Sequence, residues 1–217
     1  VQSSLNSVAI FRFREKVQPL IFAKRKTRSP KAIVLFDIDS TLLNGTKVYS
    51  ATLTHLIRKF NRADLTALRY LLFRRPKGFL GSPAAKNSFL APQHYRDALF
   101  EDVLPTLQKL KGKASLGIFS QGPGRLQRAK LYLSGIESYF SPELTFIFPP
   151  RKILKAKRIL AQLPKTKIYF VDDRPGIAAA LANHRVKVFL IRRRSKPAPQ
   201  NGGIIRIRSL KEILNFV

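Results

Sequence analysis

Five stretches of the chain read as β-strands, and four of them are nearly continuous apolar runs. Ala32-Ile-Val-Leu-Phe36 is the first, and Ser115-Leu-Gly-Ile-Phe119, Lys167-Ile-Tyr-Phe-Val171 and Val186-Lys-Val-Phe-Leu-Ile191 repeat its texture. Runs without regular polar alternation are expected of parallel strands covered on both faces. Ile204-Ile-Arg-Ile-Arg208 alternates instead, and predicts an edge strand with basic residues on its outer face. Helical patterns lie between the runs, at 125–134, 153–163 and 177–182, and a short helix is expected at 210–216. Strands alternating with helices predict an α/β fold with a doubly wound parallel sheet.

Between residues 43 and 110 that rhythm stops. Helix-like patterns occur at 51–60, 65–73, 94–100 and 104–110, with no strand among them, and Arg74-Arg-Pro-Lys-Gly-Phe-Leu-Gly-Ser-Pro83 is loop material. The expected organisation is therefore a core built from 32–42 and 111–217, with a small helical insertion at 43–110. Residues 1–31 stand apart as a basic N-terminal arm, with eight Lys or Arg against the single acid Glu15. Such a segment fits the remnant of an organelle-targeting region and equally an RNA-binding arm that orders on its partner; the arm is the preferred reading.

Charge is what sets this chain apart from an ordinary α/β domain of its 217 residues. Lys and Arg number 41 against 12 Asp and Glu, a net charge of +29. A surface so cationic adsorbs to polyanions, and the simplest partner is nucleic acid, most readily RNA. With no cysteine there is no disulfide framework, thiolate metal site or cysteine nucleophile. The three histidines, His55, His94 and His184, are isolated in sequence and do not suggest a His-rich metal site. No apolar run reaches the roughly 18 residues of a membrane span. No methionine occurs, even at position 1, which points to a processed or truncated start.

With so few acids, their placement is informative. Four of the twelve form two tight pairs, Asp37/Asp39 and Asp172/Asp173, and each pair directly follows a buried-strand pattern. Ligands of open parallel sheets bind beyond the carboxyl ends of the strands, near the point where strand order reverses. Clustered carboxylates repel unless a cation or a shared proton relieves them, and hard oxygen ligands of this kind favour Mg²⁺. The alternative, acids that merely cap helices or pair with Lys and Arg, explains one pair more easily than two pairs at two strand ends.

These residues resemble the motifs of the haloacid dehalogenase (HAD) superfamily. Asp37-Ile-Asp-Ser-Thr-Leu-Leu43 is similar to its first motif, Asp-x-Asp-x-Thr after the first strand, with Ser40 where many members have Gly. Ser120, in Ile-Phe-Ser-Gln-Gly, resembles the second motif, and Asp172-Asp173, in Val-Asp-Asp-Arg-Pro, the fourth. Arg151-Lys-Ile-Leu-Lys155 offers the lysine of the third, Lys152 being preferred and Lys155 second. The resemblance runs from about Lys31 to Val217, and the helical insertion falls where the family carries a cap.

The resemblance implies a phosphohydrolase acting through an aspartyl-phosphate. Asp37 is then the nucleophile, and Asp39 the acid and base for leaving group and water. Thr41 holds Asp39 or the local turn, Ser120 hydrogen-bonds phosphoryl oxygens, and Lys152 offsets charge. Mg²⁺ is held by Asp37, the Asp39 backbone carbonyl and Asp173, with Asp172 close by.

The remaining cations suggest where nucleic acid binds: Lys24, Arg25, Lys26 and Arg28 in the arm, Arg74, Arg75 and Lys77 in the insertion, and Arg192, Arg193 and Arg194 before the last strand. In the insertion, Phe60, Tyr70, Phe73 and Phe79 interleave further cations (Arg58, Lys59, Arg62, Arg69), which suits stacking on single-stranded bases or, equally, an apolar filling. Two functions are therefore expected to compete. One is a Mg²⁺-dependent phosphatase associated with RNA or a ribonucleoprotein. The other is a HAD-fold subunit of a ribosome, possibly organellar (mitochondrial), whose site is incidental. Both are intracellular and neither involves a membrane.

Overall fold

The computed structural model describes residues 31–73, 78–149, 156, 159–182, 186–193 and 203–217. Lys24, Arg25, Lys26, Arg28, Arg74, Arg75, Lys77, Lys152, Lys155 and Arg194, singled out above, lie outside the described residues.

Six parallel strands form one sheet: β1 (Ala32–Phe36), β2 (Ser115–Gln121), β3 (Thr145–Phe148), β4 (Lys167–Asp172), β5 (Val186–Ile191) and β6 (Ile204–Ile207). Their order is β3-β2-β1-β4-β5-β6. The chain thus builds outward from β1 in one direction, then crosses back to add β4, β5 and β6 on the other side. The crevice between β1 and β4 is the point where strand order reverses.

The apolar runs are explained by two separate cores. Alternate residues of a strand face opposite sides. Ala32, Val34 and Phe36 join one apolar cluster, with Leu116, Ile118, Tyr169, Val171 and the insertion. Ile33 and Leu35 join the other, with Phe119, Ile168, Phe170 and Val188. Both faces of the central strands are dry, so neither set of side chains is polar.

The insertion contributes α1 (Gly45–Lys59), α2 (Arg62–Phe73), α3 (Pro83–Lys86) and α4 (Pro92–Arg96), followed by α5 (Val103–Leu110). Asn44 caps α1, its side chain accepting from the Lys47 N–H at 3.2 Å. Buried Asp64 fixes the corner between α1 and α2. It accepts from the Asn61 and Phe89 backbone N–H groups at 2.9 and 2.8 Å and meets the His55 ring at 3.1 Å. After β2 comes α6 (Gly124–Leu133), and after β4 comes α7 (Pro175–Ala182), each beginning at the carboxyl edge of the sheet. Proline at the first position of α7 needs no hydrogen bond for its nitrogen and is preset for helix. Helical residues also occur at 156 and 159–162. The last element, Leu210–Asn215, is a 3₁₀ helix with a capping box of Ser209 and Glu212, and it packs against α5. No helix among the described residues is long and apolar enough to cross a membrane.

Candidate active site

The site is built on the carboxyl ends of β1 and β4, held side by side by the Asp37 N–H donating to the Val171 carbonyl at 2.9 Å. Asp37 follows β1, and Asp172 and Asp173 end and follow β4. One carboxylate oxygen from each of the three lies within 4.8 Å of the others. Asp37 and Asp172 are almost fully buried. Burial first, then the charges of Asp172 and Asp37, push the Asp173 carboxyl up to about 6. Arg174, unremarked in the sequence, is a neighbouring cation: its guanidinium lies 3.5 Å from Asp172 and 4.0 Å from Asp37. Its backbone N–H also donates to Asp172 at 3.0 Å.

Asp39 belongs to the same loop but not to that cluster. Its oxygens accept from the Lys130 ammonium at 2.6 and 2.8 Å, and one accepts from the Gln127 side chain at 2.9 Å. The Asp39 carboxylate is thus engaged by α6, and only its backbone carbonyl is left for the metal-facing role the resemblance gives it. Lys130 is buried to 11% of its side-chain surface while Asp39 keeps 38%. Neither Lys130 nor Gln127 was picked out by sequence. The available signal was their spacing, three apart on one face of the helix after Ser120, beside the apolar positions Ala129, Leu131 and Leu133. From the insertion, α4 brings buried Tyr95 close by. Burial, and then the Asp39 charge, push its phenol upward.

The turn that carries Asp39 is tight. Leu42 and Leu43 N–H groups both donate to the Ile38 carbonyl, and Ser40 takes a left-handed φ of 60°. That conformation costs a non-glycine residue about 1–2 kcal/mol, and it explains why glycine is suited to this place. Thr41 corrects an expectation. Its buried hydroxyl makes no hydrogen bond among the described residues, and among them Asp39 is held by Lys130 and Gln127 and not by Thr41. What anchors Thr41 is its carbonyl, which accepts from Arg193 at 2.9 Å.

Arg193 is itself a second correction. Read as part of a basic surface run, it is turned inward. One nitrogen donates to Asp102 at 2.8 Å, another to Thr41, and the guanidinium lies 3.7 Å over the Phe100 ring. These bonds engage the guanidinium within the fold, and 19% of the side-chain surface stays exposed. Asp102 at the start of α5 also accepts from the Ser209 hydroxyl and the Leu210 N–H. Burial alone raises such a carboxyl, but the Arg193, Leu210 and Ser209 hydrogen bonds outweigh it and hold Asp102 below its ordinary range. Arg192 is exposed.

Ser120 sits at the carboxyl end of β2, next to β1. It is 1% exposed, and its hydroxyl has no hydrogen-bond partner among the described residues. The insertion's aromatics divide. Phe79 is buried and packs on Tyr70 with ring centroids 5.6 Å apart, so those two are filling. Phe60 and Phe73 are exposed.

No protein-family model matches the chain, and no curated protein does. Solved structures are similar. A protein described as a haloacid dehalogenase-like hydrolase from Burkholderia xenovorans is 19% identical with a TM-score of 0.58, over 86% of this chain and 96% of that one. A HAD-hydrolase from Bacillus subtilis, solved bound to magnesium, is 13% identical with a TM-score of 0.55, over 87% and 98%. A dehalogenase in an intermediate complex is 16% identical with a TM-score of 0.52, over 88% and 98%. At these identities the likeness shows the fold, and the fold is HAD-like, as the motifs implied.

Proposed function

We propose that this chain, with its HAD-like fold, is a Mg²⁺-dependent phosphohydrolase that works through an Asp37 nucleophile while associated with RNA. The observation that carries the reading is the convergence of Asp37, Asp172 and Asp173 at the β1/β4 crevice. Three carboxylates so close concentrate negative charge at the crevice, and an all-oxygen donor set of this kind fits a hard divalent cation. Asp37, Asp172 and Asp173 would hold Mg²⁺, which when bound offsets the negative charge of phosphate and carboxylates together.

The chain's own residues supply the rest. An Asp37 carboxylate oxygen bonds to phosphorus as the bond from phosphorus to the leaving oxygen breaks, and protonated Asp39 gives that oxygen its proton. Asp39 then takes a proton from the water that attacks the aspartyl-phosphate, which frees phosphate and restores Asp37. For both transfers Asp39 exchanges its Lys130 contact for the reacting oxygen. The buried Ser120 hydroxyl, unpartnered among the described residues, is available to a phosphoryl oxygen. Halide departure needs no proton donor, so the Asp37/Asp39 pair favours an oxygen leaving group over the dehalogenation named for one similar structure.

The test is phosphate release from phosphorylated RNA ends with and without Mg²⁺. Asp37→Asn is expected to lower it by about a thousandfold or more. Wild-type turnover by that variant overturns the nucleophile assignment. The net charge of +29 favours a second reading, a HAD-fold subunit of a ribosome, possibly organellar, whose site is incidental.

A further inference from the structure

Because all six strands are parallel, every strand begins at the same end of the sheet, opposite the carboxylates. The residues that lead into the central strands there are lysines. Lys31 directly precedes β1, Lys113 stands two residues before β2, and Lys165 and Lys167 lead into and open β4. Register brings them together. Ile33 pairs with Ser115 and Ala32 with Lys167, and the Thr166 hydroxyl donates to the Lys31 carbonyl at 3.0 Å. All four side chains are exposed. Among the described residues none of the four is in an ion pair. Like charges on neighbouring strands repel, and no ion pair relieves this row.

We propose that Lys31, Lys113, Lys165 and Lys167 form a docking row for the phosphate backbone of nucleic acid, at the end of the sheet remote from the carboxylate site. Lysines are compact point cations without the planar fork that reads base edges, so the row tracks backbone charge without selecting sequence. A membrane surface asks for large apolar side chains beside the cations. Here the most exposed of these, Tyr49, Ile57, Phe60 and Phe73, lie on or beside α1 and α2. The row therefore suits nucleic acid, and it leaves the carboxylate end of a docked molecule facing outward. The inference extends the RNA part of the proposed function and does not depend on the chemistry at Asp37, because its test reads binding without turnover.

Binding of the full chain to a labelled single-stranded RNA of about 20 nucleotides is followed by fluorescence anisotropy between about 50 and 200 mM salt. The row variant K31E/K113E/K165E/K167E is compared with R58E/K59E/R62E/R69E in the insertion, which makes the same change in net charge. The row variant is expected to bind at least about tenfold more weakly than the insertion variant, and to lower the slope of log Kd against log salt by about 3. Equal losses in the two variants, or a greater loss in the insertion variant, overturn the row in favour of a diffuse field or the insertion. Tighter row-dependent binding to phosphatidylserine vesicles than to RNA overturns nucleic acid as the partner. Thermal unfolding by circular dichroism checks that each variant folds. If the glutamate set does not fold, glutamine at the same four positions carries the same comparison, with a smaller expected loss and the same overturning results.

Discussion

Burial, then the neighbouring Asp172 and Asp37 carboxylates, push Asp173 up to about 6, and this gives the site a pH signature. A metal-bound carboxylate must be ionised, so a proton on Asp173 competes with the cation. Above about pH 6 the group is ionised and the cation meets no competition. Below it, the apparent Mg²⁺ affinity is expected to fall by up to about tenfold per pH unit. The sign for folding without metal follows from the same shift. The native state holds a proton that the unfolded chain has released between pH 3.8 and about 6, so this group's contribution to stability declines as pH rises through that window. Calorimetric titration of Mg²⁺ at several pH values checks the first, and the idea is sunk by an affinity that stays flat down to pH 5. Asp173→Asn, compared with wild type in metal-free unfolding, checks the second. That these acids matter was legible in the sequence because acids are scarce and two pairs end two strands. Lys130 was not legible for the opposite reason: one lysine among 41 cations carries little information until the helix is seen to bury it. Arg193 misled for the same cause, since a guanidinium stacked on Phe100 and bonded to Asp102 looks in sequence like one more member of a basic run.

At the scale of elements, the four apolar strands were readable because both of their faces are covered, and β6 was readable from its alternation. The expectation stopped short at β3. Thr145-Phe-Ile-Phe148 has only four residues and lies at the sheet's edge, where half its side chains are partly exposed, so no long apolar run announces it. Its packing turns on a glycine whose importance the sequence does not declare. A Cβ on Gly117, in the middle of β2, would fall 2.4 Å from the Leu144 carbonyl oxygen and 2.6 Å from a Leu35 methyl. The first is backbone and cannot swing aside, so the turn entering β3 rests directly on β2. Gly117→Ala is expected to cost about 1–3 kcal/mol, read as a lower urea midpoint. An unchanged midpoint means that the turn does not lie against Gly117. Similar reasoning explains the C-terminal end of the chain. The sequence signals a short helix there, and the structure gives a 3₁₀ helix whose start is pinned, through Ser209 and Leu210, to Asp102 at the head of α5. That long-range carboxylate links the strand ends near Thr41 and Arg193 to the terminal segment, and no local pattern encodes it.

For the whole molecule the governing quantity is charge. Of the 12 acids, Asp37, Asp172 and Asp173 gather at the site, while Asp39, Asp64 and Asp102 are bonded to cations or backbone within the fold. Few remain to balance the outer surface, so the free chain is held together against its own repulsion. This is where the two functional readings part. An enzyme that visits RNA through exposed lysines is held largely by counterion release, and its affinity falls by orders of magnitude over a few-fold rise in salt. A subunit built into a ribonucleoprotein is held by many contacts that also exclude water, and moderate salt does not strip it. Sucrose-gradient sedimentation of a native lysate at about 50 and 200 mM salt therefore reads the difference directly. The proposed enzyme is expected to travel with large particles at the lower salt and as a small species at the higher. Migration with ribosomal particles at both salts would overturn that expectation and make catalysis at Asp37 secondary. Migration as a small species at both would remove the assembly reading and, with it, the use of +29 as an argument for a large RNA partner.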